Sequence, residues 1–105
     1  MKEIDVTQLK AMKDSGEDFQ LIDVREPNEY EFANIGGELI PLGEVMANKD
    51  KISKDKKVVF MCRSGKRSAR AIQAVQGTEN EDNLYNLKGG ILAWADEIDP
   101  NIPKY

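Results

Sequence analysis

Apolar positions along the chain fall into short runs separated by polar, glycine-marked breaks. Asp5 precedes apolar residues at Val6, Leu9 and Met12. That is helical spacing behind an acidic cap, and Gln8, three residues on, completes a capping box. Gly16 ends this helix. Phe19-Gln20-Leu21-Ile22-Asp23-Val24 has the length and apolar content of a buried strand. Glu26-Pro27-Asn28-Glu29 opens a new helical turn, with Pro27 suited to the first helical position. Gly36-Gly37 breaks it, Leu39-Ile40 resumes as a short extended piece, and Pro41 stops further ladder bonding. Leu42 to Ala47 fits a short helix, and the charged run from Lys49 to Lys57 reads as a solvated loop.

Lys57-Val58-Val59-Phe60-Met61 is the strongest strand signal, continuous and rich in β-branched residues. Ser68 to Gln76 places Ala71, Ile72 and Val75 at helical spacing, with Gly77 as a stop. Thr78 to Asp82 is a polar loop, and Leu84-Tyr85-Asn86-Leu87 a further strand. Gly89-Gly90 turns the chain into a helix from about Ile91 to Glu97, whose Trp94 is expected in the core. Met12, Met46 and Met61 show no ligand spacing and read as packing residues. Strands alternating with short helices predict a three-layer α/β domain, a parallel sheet with helices on both faces. Such sheets bind ligands beyond the carboxyl ends of their strands, so the loop after Val58–Met61 is the first place to look.

The chain of 105 residues is the size of one domain, spanning 1–105. Its 15 basic and 19 acidic residues leave a net charge of -4, which argues against a nucleic-acid partner. No apolar run approaches a membrane span, and no charged-then-apolar leader follows Met1. The expected location is the cytoplasm. A single cysteine excludes an internal disulfide framework, and the absence of histidine excludes every mechanism that needs imidazole. No metal and no organic cofactor are implied.

The cysteine itself stands where the sheet directs attention. Cys62-Arg63-Ser64-Gly65-Lys66-Arg67-Ser68 links the best strand to a helix. Such a loop can turn successive main-chain N–H groups inward, and the helix N-terminus adds its positive end. Gly65 permits the tight curvature. Arg63, Lys66, Arg67 and Arg70 reverse the sign of an otherwise acidic chain and would attract a small anion. A lone cysteine is ordinarily a small buried hydrophobe. Cationic flanks do not suit that fate. In such a setting a thiol falls from a pKa of about 8.5 to roughly 3.5–7.5, so a thiolate forms without a histidine base.

Three stretches together resemble the single-domain rhodaneses, a sulfurtransferase family. They are Leu21-Ile22-Asp23-Val24-Arg25-Glu26-Pro27-Asn28-Glu29-Tyr30, then Val58 through Ser68, then Leu84-Tyr85-Asn86-Leu87-Lys88-Gly89-Gly90-Ile91-Leu92-Ala93-Trp94. The resemblance implies a sheet of about five parallel strands between helices. It implies a cysteine, here Cys62, that takes sulfane sulfur from an anionic donor such as thiosulfate. The persulfide then passes its sulfur to a thiol or cyanide, with a sulfur-relay protein as a candidate partner. The amides of Arg63, Ser64, Gly65, Lys66 and Arg67 would cradle the anion, and the Arg63 and Arg67 side chains would bind the donor. Asp23, Arg25 and Ser68 would support the loop. The likeness lapses at Ala33-Asn34-Ile35-Gly36-Gly37-Glu38, where the family carries Gly-His-Ile-Pro-Gly-Ala and one more residue before Pro41.

Two other readings remain beside sulfur transfer. Phosphatases and arsenate reductases of the same fold place five residues between cysteine and arginine, whereas four separate Cys62 from Arg67. The smaller ring suits one sulfur atom better than a tetrahedral oxyanion with several oxygens to bind. A non-catalytic binding module, or a thiol that senses oxidants, is the other.

Overall fold

The computed structural model describes residues 1–79 and 81–105. Asn80, within the expected polar loop Thr78–Asp82, lies outside the described residues. In chain order the elements are β1 (Glu3–Ile4), α1 (Val6–Asp14), β2 (Gln20–Asp23), α2 (Pro27–Phe32), β3 (Glu38–Leu39), β4 (Val58–Met61), α3 (Lys66–Gln76), β5 (Leu84–Leu87) and α4 (Gly90–Glu97). Two 3₁₀ segments, Leu42–Glu44 and Met46–Lys51, join β3 to β4. The strands form one parallel sheet in the order β1-β5-β4-β2-β3.

Period-two alternation along β4 explains the three layers. Val58 and Phe60 point to one face, packing with Ala71, Ile72 and Val75 of α3 and with Ile22, Val24 and Leu84. Val59 and Met61 point to the other, packing with Val6, Leu9 and Met12 of α1 and with Ile91 and Trp94 of α4. All four β4 residues are inaccessible. Burying a side chain the size of Phe60 contributes about 1.5–3 kcal/mol, so the strand with the most such residues takes the centre of the sheet. The capping box at Asp5 is present, with Asp5 Oδ1 accepting from Gln8 N and Gln8 Oε1 from Asp5 N, each at 2.8 Å.

The structure departs from the sequence expectations at four places. β1 pairs with β5 over two residues, a span too short to show a period. Leu42–Ala47 is not one helix but parts of two 3₁₀ segments, and the second runs into the charged segment to Lys51. That segment is pinned by Ile52, which is buried against the α3 face. Met46 is exposed rather than packed. Finally, α3 begins at Lys66, two residues earlier than expected, because Gly65 caps it in the left-handed region at φ 101°.

Candidate active site

Cys62 follows the last residue of β4, so the central strand delivers the sulfur to the carboxyl edge of the sheet. The residue is 1% exposed and joins the apolar cluster of Phe60 and Ala71. In burial it matches the ordinary fate of a lone cysteine. Its sulfur is nonetheless surrounded by donors: Gly65 N lies 3.1 Å from Sγ and Ser68 Oγ 3.4 Å from it. Burial opposes ionisation of the thiol most strongly. The hydroxyl of Ser68 and the main-chain amides of Ser68, Gly65 and Ser64 outweigh it and hold the Cys62 pKa below its usual value. Of the amides expected at positions 63–67, Ser64 and Gly65 thus face the sulfur, and Ser68 joins from one position beyond.

A loop that turns its amides inward turns its carbonyls outward, and buried carbonyls need partners. The first turn of α4 supplies them: Ile91 N donates to Cys62 O at 3.0 Å and Leu92 N to Arg63 O at 3.2 Å. Helix N-termini carry unused N–H groups, so nothing is lost from α4 by this donation. Gly90 makes the approach possible, since a Cβ there would overlap the carbonyl oxygens of Cys62 and Arg63. The Gly89-Gly90 pair, expected only as a turn, is therefore also the seat of the cysteine loop. From β5, Asn86 Nδ2 donates to Gly65 O at 3.0 Å, and Asn86 Oδ1 accepts from Ser68 Oγ at 2.5 Å.

The rim is made of charged side chains. Arg67 meets Glu29 of α2 in a bidentate ion pair, with N···O distances of 2.7 and 2.8 Å. The guanidinium expected to bind the donor is thus paired with a carboxylate that joins the loop to α2. The Arg67 contact, with help from Tyr105 and Glu26 N and against burial, holds Glu29 down at about 2. Tyr105 Oη donates to Glu29 at 2.6 Å and accepts from Arg25 at 3.0 Å. Arg63 Nε donates to the main-chain oxygen of Tyr105 at 2.6 Å, and its guanidinium lies 5.1 Å from the Tyr105 ring centre. Lys66 and Arg70 are exposed.

Asp23 and Arg25 form a fully buried pair, with Arg25 Nη2 2.7 Å from Asp23 Oδ2. The same guanidinium donates to Ala33 O at 2.8 Å and to Glu29 O at 3.4 Å, holding the end of α2. They connect to the cysteine loop through α2, whose Glu29 pairs with Arg67. In the departing segment, Gly36 N donates to Asn34 Oδ1 at 3.0 Å, a local turn that rejoins β3. A cavity of about 280 Å³ opens between Asn28, Glu29, Phe32 and Tyr105 at the rim.

Sequence reasoning gave no site role to Glu29, Asn86 or Tyr105. Asn86 left a signal, a polar residue between apolar neighbours in a strand. Glu29 and Tyr105 left none that local spacing could reveal, because their partners lie 38 and 76 positions away.

Comparison with known proteins matches this architecture. The profile of the rhodanese-like domain family matches residues 5–97. The putative sulfurtransferase YtwF of Bacillus subtilis is 35% identical over 101 residues, covering 95% of this chain and 96% of that protein. The probable adenylyltransferase/sulfurtransferase MoeZ of Mycobacterium tuberculosis is 37% identical over 101 residues. That match covers 93% of this chain, which spans only 26% of the length of MoeZ. The crystal structure of a rhodanese-related protein from Thermoplasma volcanium superposes with a TM-score of 0.82 at 27% identity, covering 100% of both chains. With five parallel strands, helices on both faces and the family profile across most of its length, the chain belongs to the rhodanese-like domain family.

Proposed function

We propose that the protein moves sulfane sulfur from an anionic donor of the thiosulfate type to a thiol or cyanide acceptor through a persulfide on Cys62. Family membership and the names of relatives such as YtwF support sulfur transfer in general. The observation that carries the specific reading is the Cys62 sulfur itself, met by Gly65 N at 3.1 Å and held below its ordinary pKa in a chain without histidine.

The chemistry balances without a cofactor. The Cys62 thiolate attacks the outer sulfur of thiosulfate; the donor S–S bond breaks and sulfite leaves with its electron pair. The acceptor then attacks the terminal sulfur of the persulfide, and Cys62 leaves as a thiolate. The amides of Ser64, Gly65 and Ser68 favour the anionic sulfur at both stages. Lys66 and Arg70 draw in the anion from outside, Arg63 stands at the entrance, and Arg67 keeps the loop seated through Glu29. The name of MoeZ joins an adenylyltransferase to a sulfurtransferase, and this supports a sulfur-relay protein as the partner of a domain that matches part of it. No helix among the described residues is long and apolar enough to cross a membrane. We place the activity in the cytoplasm, where a free thiol persists.

The test is incubation with thiosulfate followed by mass spectrometry, alongside p-nitrophenyl phosphate turnover. One added sulfur on Cys62, lost in Cys62→Ala and removed by cyanide, is the expected result. Phosphate turnover without sulfur uptake would move the assignment to the phosphatase class, and neither activity would move it to a binding or sensing module.

A further inference from the structure

The sulfur-transfer reading leaves one buried polar group without a task. Asn86 is 4% exposed on β5. A buried amide is costly unless bonded, and Asn86 is bonded at both ends, to Gly65 O at 3.0 Å and to Ser68 Oγ at 2.5 Å. Ser68 is fully buried on the first turn of α3, and its hydroxyl carries one proton. Two acceptors face that proton: Asn86 Oδ1 at 2.5 Å and Cys62 Sγ at 3.4 Å. It serves one at a time.

We propose that Asn86 is a positioning residue for sulfur transfer, its Oδ1 competing with Cys62 Sγ for the single Ser68 proton so that the hydroxyl turns to the sulfur when it is a thiolate and back to Asn86 when it is not. The inference rests on the persulfide reading above. When Sγ of the free protein is ionised, it carries the negative charge and takes the hydroxyl. In the persulfide the charge moves to the terminal sulfur, Sγ becomes an uncharged bridging atom, and the hydroxyl returns to Asn86. When an acceptor removes the terminal sulfur, the electron pair of the S–S bond returns to Sγ and the hydroxyl swings back. The Ser68 proton stays on Ser68 throughout; only its direction changes. Asn86 supplies the second resting place, so the thiolate is favoured without being held too tightly to react.

The groups around the loop do not confuse the measurement. On α3 and the loop these are Arg63, Lys66, Arg67 and Arg70, and behind them stand Glu29 and the Asp23–Arg25 pair with Tyr105. β5 and α4 face the loop with Asn86, Leu87, Gly89 and Gly90. Glu29 is held at about 2, while Arg67, Arg25 and Tyr105 are pushed upward.

The experiment is the rate of iodoacetamide alkylation of Cys62 against pH in the full chain. Ser68→Ala removes the donor and should move the midpoint up by about one pH unit, a tenfold change. Asn86→Leu removes the competitor and should move it down, by about half a unit. Combined with Ser68→Ala, Asn86→Leu should add nothing. A midpoint that rises in Asn86→Leu, stays put, or shifts equally in the Ser68→Ala background would reduce Asn86 to a structural anchor of Gly65 and overturn the proposal. Asn86→Ala reads the same quantity with less bulk. In the unaltered chain, the Asn86 side-chain amide resonances should titrate at the Cys62 midpoint, and a static signal overturns the proposal even if neither variant folds. If these shifts appear but thiosulfate leaves no sulfur on Cys62, the persulfide reading fails while the proton competition stands.

Discussion

The loop around Cys62 and the rim above it hold together by different means. The loop is fixed mostly by main chain, with Gly65 N on the sulfur and Ile91 N and Leu92 N on the outward carbonyls, and the Asn86 side chain adds one bond to Gly65 O. The rim is fixed by long side chains from distant parts of the sequence: Glu29 on Arg67, Tyr105 on Glu29 and Arg25, and Arg63 on Tyr105. Main-chain contacts change only if the backbone path changes. Side-chain ion pairs respond to pH, salt and single substitutions. The difference teaches that the loop supplies the donors that lower the Cys62 pKa directly, while the rim adjusts how firmly the loop is seated and how the entrance is charged.

The most severe way to break the comparison is therefore to strike the main chain. Gly90→Ala puts a Cβ into the Cys62 and Arg63 carbonyl oxygens, at a residue whose φ of 57° already disfavours a side chain. Strain and overpacking together should cost about 3 kcal/mol or more. Thermal unfolding should then fall by roughly 15 °C. Alkylation of Cys62 by iodoacetamide, measured below that transition, should lose its neutral-pH component. A Gly90→Ala protein with an unmoved melting point and unchanged alkylation would mean that α4 does not seat the loop.

Next comes the rim. Glu29 has a folded pKa of about 2, below its ordinary 4.5. A depressed carboxylate contributes stability that is complete above its unfolded pKa and is lost as pH falls through the folded value. The contribution of Glu29 is thus full at neutral pH and disappears from about 4.5 down to about 2. Its size is on the order of 3 kcal/mol by linkage, and somewhat less as a mutational loss because glutamine keeps part of the bonding. Urea unfolding of Glu29→Gln should show a deficit of about 2 kcal/mol at neutral pH that closes in acid. A deficit that is constant with pH would show that the Glu29–Arg67 pair is not what titrates.

The same division explains what the sequence could and could not tell. Val58 to Met61 is read as a strand because burial on both faces requires a continuous apolar run. The loop after it is read as a ring because glycine and the following helix are local in the chain. Cys62 and Gly65 are legible in this way, and Ser64 stands in the same loop; Ser68 enters only through the family resemblance, as a loop support. β1 was not legible, since two residues carry no period, and its pairing with β5 joins residues more than eighty positions apart. Arg67 was recognised as a cation beside the cysteine, but its fate depends on Glu29, 38 positions earlier, and no spacing rule connects them. The Asp23–Arg25 pair was legible as a pair. Its burial was not, because that requires knowing that α2 and Tyr105 close over it.

The smallest expected effect is the electrostatic reach of the rim into the loop. The Arg67 charge is favoured in part by Cys62, after the larger influence of Glu29 and against burial. In Arg67→Ala the thiolate loses that cation, and Glu29 is left as an uncompensated anion nearby. Both changes disfavour ionisation, so the midpoint of the alkylation profile should rise, by less than about one pH unit because the groups are partly solvated. Glu29→Gln does the opposite, since it removes the neighbouring anion and leaves the Arg67 charge uncompensated beside the thiolate, and its midpoint should fall. The two shifts share one cause and should shrink together as salt rises, the screening length dropping from about 10 Å at 0.1 M to about 3 Å at 1 M. The shift in Ser68→Ala, carried by a direct hydrogen bond, should survive the same salt. If the Arg67→Ala midpoint does not move, the rim acts on the loop through geometry alone, and the ring of amides with Ser68 is by itself sufficient to hold the thiolate.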